Sequence, residues 1–370
     1  MTATGPSANG RPLRVATIGG DGIGPEVVRA ALPALVAAAE GHGASVEITE
    51  LDWGGDRLLR TGHAMPADGP EELRRHDAVL LGAVGHPALS PSESVWTLVL
   101  PIRKALDLFV NLRPIRAWPG VRSPIRGAPR ADFVVVRENT EGEYAGIGGR
   151  VHEGSPDEVA TDVAIHSRRA ITRVARYAFE LARSRGQTLT LVTKSNVSRH
   201  GYALWDEVVF ALREAEFPDV AIEKAYVDAM AARLIERPDS LGVLVCSNLF
   251  GDILSDAGAP IAGGLGMAPS ANISPDRTGP GMFEPVHGSA PDIAGRGVAN
   301  PIACVLSGVL LLRDVGLGAA ADTLEQAVSL ALASGECHTP DLGGRATTDR
   351  AAAAVHAAVG QVLRAGAAAP

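Results

Sequence analysis

Two aspartates one helical turn apart, Asp252 and Asp256, have the spacing that most clearly suggests chemistry. They follow an apolar run, residues 242–247, that predicts a buried strand. We expect Gly251 to turn the chain, so that a helix starts at Asp252 and both carboxylates share one face. Like charges at this spacing destabilise a helix by roughly 0.2–0.5 kcal/mol, and a hard cation such as Mg²⁺ or Mn²⁺ would offset the repulsion. A solvated acidic helix start beside the helix dipole explains the same pattern without a ligand.

Three arginines lie in distinctive local sequences: Arg103 in Ile-Arg-Lys, Arg113 in Asn-Leu-Arg-Pro, and Arg137 at the end of an apolar strand. A guanidinium such as that of Arg137 either forms a salt bridge, here with Glu138 or Glu141, or binds the carboxylate of a ligand. If the three guanidiniums converge, they would suit a di- or tricarboxylate. Spacing alone does not establish that they do.

Three further polar residues follow predicted strands or lie in apolar surroundings. Tyr144 comes shortly after Arg137 and suits either packing or a site. Lys194 follows a buried strand, where a lysine is either solvated or a proton acceptor with a shifted pKa. Asp228 lies in the apolar run 226–230 and therefore needs a partner, which is either a helix cap or a metal.

Two glycine-rich segments suggest ligand binding. Residues 283–295 combine Pro, Gly, His, Ser and acidic groups in a pattern more typical of a binding loop than of a connector. Residues 19–24 follow a strand and precede a helix, as a dinucleotide fingerprint does. Their glycines repeat every second residue, however, and the G-x-G-x-x-G spacing is missing.

Strands and helices alternate along the chain, which predicts an α/β fold. The predicted strands are residues 13–18, 44–51, 78–83, 133–136 and 189–192, and the predicted helices are 25–40, 94–108, 163–185, 203–216 and 300–315. The length of 370 residues allows two domains. We expect the chain to cross between them more than once.

Composition excludes several classes of protein. The chain has 34 basic and 42 acidic residues and a net charge of −8, which argues against a nucleic-acid partner. No apolar run approaches the roughly 18 residues of a membrane helix, and residues 1–12 predict a disordered tail without the apolar stretch of a signal peptide. The cysteines, Cys246, Cys304 and Cys337, show no metal or disulfide spacing. We therefore expect a cytoplasmic protein.

Taken together, the segments 20–26, 248–256 and 284–295 resemble those of the β-decarboxylating dehydrogenases, which act on 3-isopropylmalate, isocitrate, homoisocitrate and tartrate or D-malate. The likeness extends from about Arg14 to Arg345. It implies an isopropylmalate/isocitrate dehydrogenase-like α/β fold that is not a Rossmann fold, with two domains and an active-site cleft between them. Residues 1–108 and 263–370 would form the large domain. Residues 109–262 would form the small domain, which makes a homodimer.

The resemblance also implies a role for each candidate residue. Substrate carboxylates would be bound by three arginines: Arg103, Arg113 and Arg137. Tyr144 would be the general acid. Lys194 would be the catalytic base and Asp228 a catalytic and metal-linked aspartate, both supplied by the partner subunit. Asp252 and Asp256 would complete the protein ligands of Mg²⁺ or Mn²⁺. The adenosine side of the cofactor would meet Glu284, His287, Gly288, Ser289, Ala290, Asp292 and Asn300.

The resemblance favours NAD over NADP, because the carboxylate of Asp292 suits ribose hydroxyls and would repel a 2′-phosphate. The substituent at the substrate's γ-position would meet Trp96, Val99, Leu100 and the partner's Val197. These residues add no cation for a third carboxylate, which argues against isocitrate. Local motifs are closest to the tartrate/D-malate and 3-isopropylmalate branches, so we expect D-malate, tartrate or a 3-alkylmalate such as 3-isopropylmalate as substrate.

Two alternatives remain open from the sequence. One is a non-catalytic regulatory subunit of such a dehydrogenase, although such chains usually lack a catalytic Tyr, Lys or Asp. The other keeps the chemistry and changes the substrate to one of specialised metabolism.

Overall fold

The computed structural model describes residues 11–125 and 130–367. Twelve strands are described: β1 (Leu13–Gly20), β2 (Val46–Leu51), β3 (Ala78–Ala83), β4 (Val110–Arg116), β5 (Asp132–Glu138), β6 (Gly148–Val151), β7 (Val159–Asp162), β8 (Leu189–Thr193), β9 (Ile222–Tyr226), β10 (Val243–Cys246), β11 (Pro269–Ile273) and β12 (Gly281–Pro285). The α-helices described are α1 (Gly24–Glu40), α2 (Gly55–Thr61), α3 (Gly69–Leu73), α4 (Pro91–Ser94), α5 (Leu100–Ala105), α6 (Arg168–Arg185), α7 (Gly201–Glu216), α8 (Val227–Glu236), α9 (Asn248–Ala262), α10 (Ile302–Asp314), α11 (Gly318–Ser334) and α12 (Thr348–Ala367).

The chain divides into two compact units. The first contains the described residues up to Asp107, those of 116–125, and those from Ala259 onwards; the second contains 108–115 and 130–258. The sequence placed these divisions after residues 108 and 262. Residues 116–125, expected in the central domain, group with the first unit.

The first unit contains strands in the order β2-β1-β3-β12-β11. The β2, β1, β3 and β12 strands run parallel, and β11 is antiparallel to β12. All six residues of β3 are buried, as expected for a parallel strand covered on both faces. Helices α1, α10, α11 and α12 pack against one another. Because α10 is apolar on nearly every side, it lies at the centre of this layer.

The second unit contains strands in the order β4-β5-β10-β8-β9, with β5, β10, β8 and β9 parallel. Helix α6 packs against α7 and against β5 and β10. A separate antiparallel hairpin, β6–β7, is exposed along both strands. Within the described residues no helix has the length and apolarity needed to cross a bilayer.

The helices expected over 163–185 and 94–108 have different boundaries in the structure. The helix expected from residue 163 begins at Arg168, because the Ser167 side chain accepts a hydrogen bond from the backbone N–H of Ala170 and caps it. The helix expected over 94–108 ends at Ala105 and has a π-helical turn at Val95–Val99. Of the predicted tail, residues 1–10 lie outside the described residues. Arg11, at its end, forms two hydrogen bonds of 2.7 and 2.8 Å with Asp77.

Gly251 was expected to turn the chain, and that expectation was wrong. Helix α9 begins three residues earlier, at Asn248, and runs through Gly251. A Cβ at this position would lie 2.6 Å from Cβ and 2.7 Å from Cγ of Arg137. The glycine therefore allows α9 to approach Arg137 closely.

Candidate functional site

Three polar side chains of the second unit converge on the carboxylate of Asp252, which lies on α9. Its Oδ1 accepts hydrogen bonds from Nη1 of Arg137 and lies 3.1 Å from Nη1 of Arg113. Its Oδ2 accepts a hydrogen bond of 2.7 Å from the hydroxyl of Tyr144. Asp256, one turn later, lies 3.0 Å from Arg113. Two predicted carboxylate-binding arginines, the predicted acid and the predicted metal pair thus share one cluster.

Arg137 enters this cluster from the end of β5, and only 2% of its surface is exposed. Its Nε donates to Oδ1 of Asn248 at 2.8 Å. Its guanidinium carbon lies 5.0 Å from the centre of the Tyr144 ring, within cation–π range. These contacts of Arg137 are made by Asp252, Asn248 and Tyr144, and not by Glu138 or Glu141, the partners that the sequence suggested. A strand end, a helix start and an aromatic ring together fix this guanidinium.

Arg113 enters from β4 and is almost as deeply buried. Its Nε donates to Oδ1 of Asn111 at 2.8 Å, and its Nη1 donates to the Ser255 hydroxyl at 2.7 Å. Because charged hydrogen bonds of this kind are strong, the side chain is oriented before any ligand is present.

The surroundings of Asp256 favour a cation. Burial raises the pKa of Asp256 above its ordinary value, and the nearby charge of Asp252 adds to this, while Arg113 and Arg137 oppose it. The two carboxylates offer only oxygen atoms, which hard divalent ions prefer. A cation such as Mg²⁺ or Mn²⁺ would relieve this electrostatic cost, so the pair fits the predicted metal.

Tyr144 is half-buried, and its environment keeps the phenol protonated. Burial raises the pKa of Tyr144 above 10.0, and the charge of Asp252 and the hydrogen bond to it act in the same direction, while Arg137 opposes them. A phenol that retains its proton at neutral pH is suited to donate it.

Lys194 and Asp228 form a second pair in the same unit. Lys194, just after β8, donates from Nζ to Oδ1 of Asp228 at 2.7 Å, and Asp228 lies in the first turn of α8. This hydrogen bond lowers the pKa of Asp228. Among residues 11–125 and 130–367, no three carboxylate, imidazole or thiolate groups converge as metal ligands. Asp228 therefore does not join Asp252 and Asp256 within one chain.

Arg103, in the first unit, is paired with Glu284. Its Nη2 donates to Oε1 of Glu284 at 2.7 Å, and Asn272 donates to the same oxygen at 2.9 Å. The Nε of Arg103 is buried and has no hydrogen-bond partner. The structure thus links a predicted substrate residue to a predicted cofactor residue.

The loop at 287–290 has the features of a ligand cradle. The Nδ1 of His287 lies 2.9 Å from the Gly288 carbonyl, so Nδ1 carries the proton and Nε2 is an acceptor. That Nε2 is buried without a partner, and burial lowers the pKa of His287. A Cβ at Gly288 would meet open space, and Ala290 has a positive φ of 38°. An adenosine group could supply the missing donor, so these residues fit NAD.

The Gly-rich turn 19–24 contacts this loop through its backbone. The backbone N–H of Ile23 donates to the Ser289 carbonyl at 2.8 Å, and a Cβ at Gly22 would lie 2.0 Å from that oxygen. The buried carboxylate of Asp21 accepts from the backbone N–H groups of Gly55 at 2.7 Å and Gly85 at 2.8 Å. The Ser289 hydroxyl in turn donates to the Gly85 carbonyl.

The other predicted cofactor residues differ in their environment. Asp292 is exposed. Asn300 is buried and already bonded: its Oδ1 accepts from the N–H of Ile302 at 3.0 Å, and its Nδ2 donates to Asp341 at 3.0 Å. Its amide therefore orients the start of α10.

The residues predicted to meet the γ-substituent are not equally accessible. Trp96 is 42% exposed and Val197 is 67% exposed, whereas Val99 and Leu100 are buried. Trp96 lies in the π-helical turn, and Nζ of Lys104 is 5.3 Å from its ring centre. The sequence interpretation overlooked this cation.

Several supporting residues were missed at the sequence level: Asp21, Asn111, Asn248, Ser255 and Asn272. Asp21, Asn248 and Ser255 lie inside segments that had been singled out, and Asn111 precedes Arg113 by two residues. The position of these four residues within or beside a recognised motif is the sequence signal that could have identified them. Asn272 carries no such signal.

Residues 14–362 match the family model described as isocitrate/isopropylmalate dehydrogenase. A probable tartrate dehydrogenase/decarboxylase of Agrobacterium vitis is 46% identical, over 94% of this chain and 98% of its own length. The decarboxylating D-malate dehydrogenase of Escherichia coli (strain K12) is 44% identical, over 93% of this chain and 98% of its own length.

A solved structure shows the same fold. The crystal structure of isocitrate dehydrogenase from Methylococcus capsulatus has a TM-score of 0.85 and 34% identity, and the match covers 94% of this chain and 99% of that chain. The predicted α/β fold class is confirmed.

Proposed function

The chain belongs to the isocitrate/isopropylmalate dehydrogenase family, and on that basis we propose that it uses NAD and a divalent cation to decarboxylate a (2R)-malate-type 2-hydroxy acid oxidatively. The reaction class follows from the family: the chain is a decarboxylating dehydrogenase that acts on the CH–OH group of a hydroxy acid. Cofactor, metal, substrate and site residues are parts of the proposal.

One observation carries the proposal: Arg113, Arg137 and Tyr144 all bond the single carboxylate of Asp252. Two cations and an acid around a carboxylate that suits a metal are among the groups that oxidative decarboxylation of a hydroxy acid needs. Asp252 and Asp256 would hold the divalent cation, which supplies Lewis-acid polarisation of substrate oxygen atoms when it is bound.

Each side chain then has a defined task. Arg113 and Arg137 donate from their Nη atoms to the substrate carboxylates, and Arg103 is proposed to add a third guanidinium. Lys194 accepts the proton of the C2 hydroxyl, directly or through a relay. Tyr144 donates its phenolic proton to C3 after CO₂ has left, and its raised pKa keeps that proton available.

The loop 287–290 would hold the adenosine part of NAD, which accepts hydride from C2 when it is bound. The unpartnered Nε2 of His287 favours a ligand that donates a hydrogen bond. The exposed carboxylate of Asp292 favours ribose hydroxyls over a 2′-phosphate.

The substrate side favours a small or apolar γ-substituent. Trp96 presents an exposed ring, and the relatives named above are a probable tartrate dehydrogenase/decarboxylase and a decarboxylating D-malate dehydrogenase. We propose D-malate, tartrate or a 3-alkylmalate such as 3-isopropylmalate. One methylene group changes affinity by only about 1–3 kcal/mol, so one enzyme can accept several of them.

We further propose a homodimer in which Lys194 and Asp228 serve the site of the partner subunit. In support, the two residues pair with each other, and Asp228 stays apart from Asp252 and Asp256 within one chain. Each site would then receive two aspartates from one chain and Lys194 with Asp228 from the other.

The direct test follows NADH formation with D-malate, tartrate, 3-isopropylmalate and isocitrate, with Mg²⁺ or Mn²⁺. We expect turnover of one or more of the first three, loss of turnover with a chelator, and at most weak activity with NADP. Turnover of isocitrate alone would contradict the substrate proposal. Purified chain that is inactive with all four substrates would favour the regulatory-subunit alternative or a substrate of specialised metabolism.

Mixed dimers test the shared site. Lys194→Ala and Tyr144→Phe chains are each expected to be inactive, and mixing them should restore up to about a quarter of wild-type activity through one intact site. Subunit exchange is verified with differently tagged chains. Exchange without recovered activity would show that Lys194 acts within its own chain.

A further inference from the structure

The two arginines of the second unit are supported in the same way. Arg113 donates from Nε to Oδ1 of Asn111 at 2.8 Å, and Arg137 donates from Nε to Oδ1 of Asn248 at 2.8 Å. Asn111 is 0% exposed and Asn248 is 1% exposed. Buried carboxamides therefore hold the same atom of each guanidinium.

This contact decides which part of the guanidinium remains for a ligand. An arginine binds a carboxylate either through its Nε and one Nη or through both Nη atoms. Because the asparagines occupy Nε, each arginine presents its Nη end, and Nη1 of both already lies within reach of Asp252 Oδ1. The side chains also lose rotamer freedom before a substrate arrives, so less entropy is lost on binding.

Asn111 reaches Arg113 by strand geometry. The two residues lie two apart on β4, and side chains at that spacing share one face of a sheet. The Ser255 hydroxyl, on α9, accepts a hydrogen bond of 2.7 Å from Nη1 of the same arginine. Asn111 therefore sets the angle at which Arg113 faces the acidic helix.

Asn248 makes a second hydrogen bond. Its Nδ2 donates to the backbone carbonyl of Glu141 at 3.0 Å, in the loop that leads to Tyr144. The loop approaches so closely that a Cβ at Gly142 would lie 3.2 Å from Cβ of Asn248. Asn248 is the first residue of α9. Its side chain therefore connects three elements: α9 itself, the end of β5 at Arg137, and the loop that leads to Tyr144.

We propose that Asn111 and Asn248 are positioning residues: Asn111 orients Arg113, and Asn248 orients Arg137 and also fixes the loop that carries Tyr144. The inference rests on the proposed function. It predicts that the two asparagines affect different kinetic constants. Asn111 acts on substrate binding through Arg113, whereas Asn248 acts on binding through Arg137 and on proton donation through Tyr144.

Four variants separate these effects. Asn111→Ala and Asn248→Ala remove the whole carboxamide. Asn111→Asp and Asn248→Asp keep an oxygen for the arginine, but Asn248→Asp removes the N–H that bonds the Glu141 carbonyl. Tyr202→Phe is the control, because it removes a buried hydrogen bond of 2.9 Å to Ser247, the residue before Asn248, without touching an arginine.

The measurements are kcat and KM for the hydroxy acid, calorimetric binding of that acid in the presence of Mg²⁺ without NAD, and Tm. Asn111→Ala should raise KM and Kd about 10–100-fold with kcat within about threefold of wild type. Asn248→Ala should raise KM similarly and lower kcat about tenfold or more. Asn111→Asp should restore KM, and Asn248→Asp should restore KM but not kcat. Tyr202→Phe should change Tm alone.

The inference is overturned if the Ala variants lower Tm as Tyr202→Phe does and leave KM, Kd and kcat within twofold of wild type. If an Ala variant does not fold, Asn→Ser, whose hydroxyl is too short to reach Nε, replaces it under the same criterion. Failure of the proposed function gives a different result, because the wild-type chain itself would then neither bind nor oxidise any of the four hydroxy acids.

Discussion

The hydroxyl of Tyr144 donates a 2.7 Å hydrogen bond to Oδ2 of Asp252. The proposed proton donor is therefore bonded to a proposed metal ligand. Because the carboxylate accepts this bond and burial disfavours the phenolate, the tyrosine keeps its proton. The contact connects the acid chemistry of the site with its metal chemistry.

Removal of the phenol should impair turnover more than binding. Tyr144→Phe keeps the ring beside Arg137 and loses the hydroxyl, with its proton and its hydrogen bond to Asp252. We expect kcat for CO₂ release to fall about 10²–10⁴-fold, the usual size of a general-acid effect, with the KM of the hydroxy acid nearly unchanged. Steady-state kinetics with CO₂ detection measures both constants. A kcat within threefold of wild type would show that another group donates the proton.

The pKa of Tyr144 should respond to the charge of Asp252. Burial raises this pKa most, and the Asp252 charge and hydrogen bond raise it further. Asp252→Asn removes the charge while burial and Arg137 remain, so the phenol should ionise at lower pH than in wild type. Phenolate absorbance against pH reports the change, with Tyr144→Phe as the subtraction control. An unchanged or higher pKa would contradict the electrostatic assignment.

Asp256→Asn should stabilise the metal-free protein at neutral pH. The folded-state pKa of Asp256 is raised above 3.8, so folding favours its protonated form and stability falls as pH rises through the raised value. Asparagine removes that charge. Because the carboxylate is half exposed, solvent screens most of the effect, and we expect a Tm increase of roughly 1–3 °C. Differential scanning calorimetry at pH 7 and at pH 4 measures it, and the gain should shrink at pH 4.

The same substitution should abolish stabilisation by a divalent cation. Wild-type Tm should rise with Mg²⁺ concentration, since a ligand that binds only the folded state stabilises it, whereas the Tm of Asp256→Asn should not. Mg²⁺-free buffer of matched ionic strength serves as the control. Equal Mg²⁺ shifts in both proteins would place the cation elsewhere.

Gly22→Ala should weaken cofactor binding. The added Cβ would meet the Ser289 carbonyl at 2.0 Å and displace the loop that carries His287. We expect Kd and KM for NAD to rise about tenfold or more, and the KM of the hydroxy acid to change little. Gly43→Ala is the matched control, because Gly43 has a similar positive φ of 80° and open space around its Cβ. If both variants change NAD binding alike, backbone strain and not the loop contact is responsible.

Sequence reasoning succeeded where the interaction is local. Asp252 and Asp256 share a face of α9 because of helical periodicity, and the strand before them was recognisable from its apolar run. The alternation of strands and helices sufficed for the fold class. The family-like segments then supplied candidate residues that residue types alone left ambiguous.

Sequence reasoning failed where segments that are far apart in the sequence meet in the structure. Nothing near Arg113 or Tyr144 in the sequence indicates that both bond Asp252, because the contact depends on how β4 and the loop after β5 pack on α9. Gly251 was misread because a glycine marks either a turn or a close approach, and only the contact with Arg137 distinguishes the two. The turn 19–24 lacks the fingerprint spacing, and its partner, Ser289, lies far from it in the sequence.

The sharing of Asp252 by Arg113 and Arg137 has a thermodynamic consequence. A substrate carboxylate that takes these guanidiniums releases Asp252 for a cation, and a cation that takes Asp252 releases the guanidiniums for the substrate. Binding of either should therefore strengthen binding of the other by the same factor, since coupling between two sites is reciprocal. Calorimetric titration of Mg²⁺ with and without D-malate, in the absence of NAD, measures that factor. Equal affinities in the two titrations would mean that the ion pairs are exchanged at no cost, and that metal and substrate assemble independently.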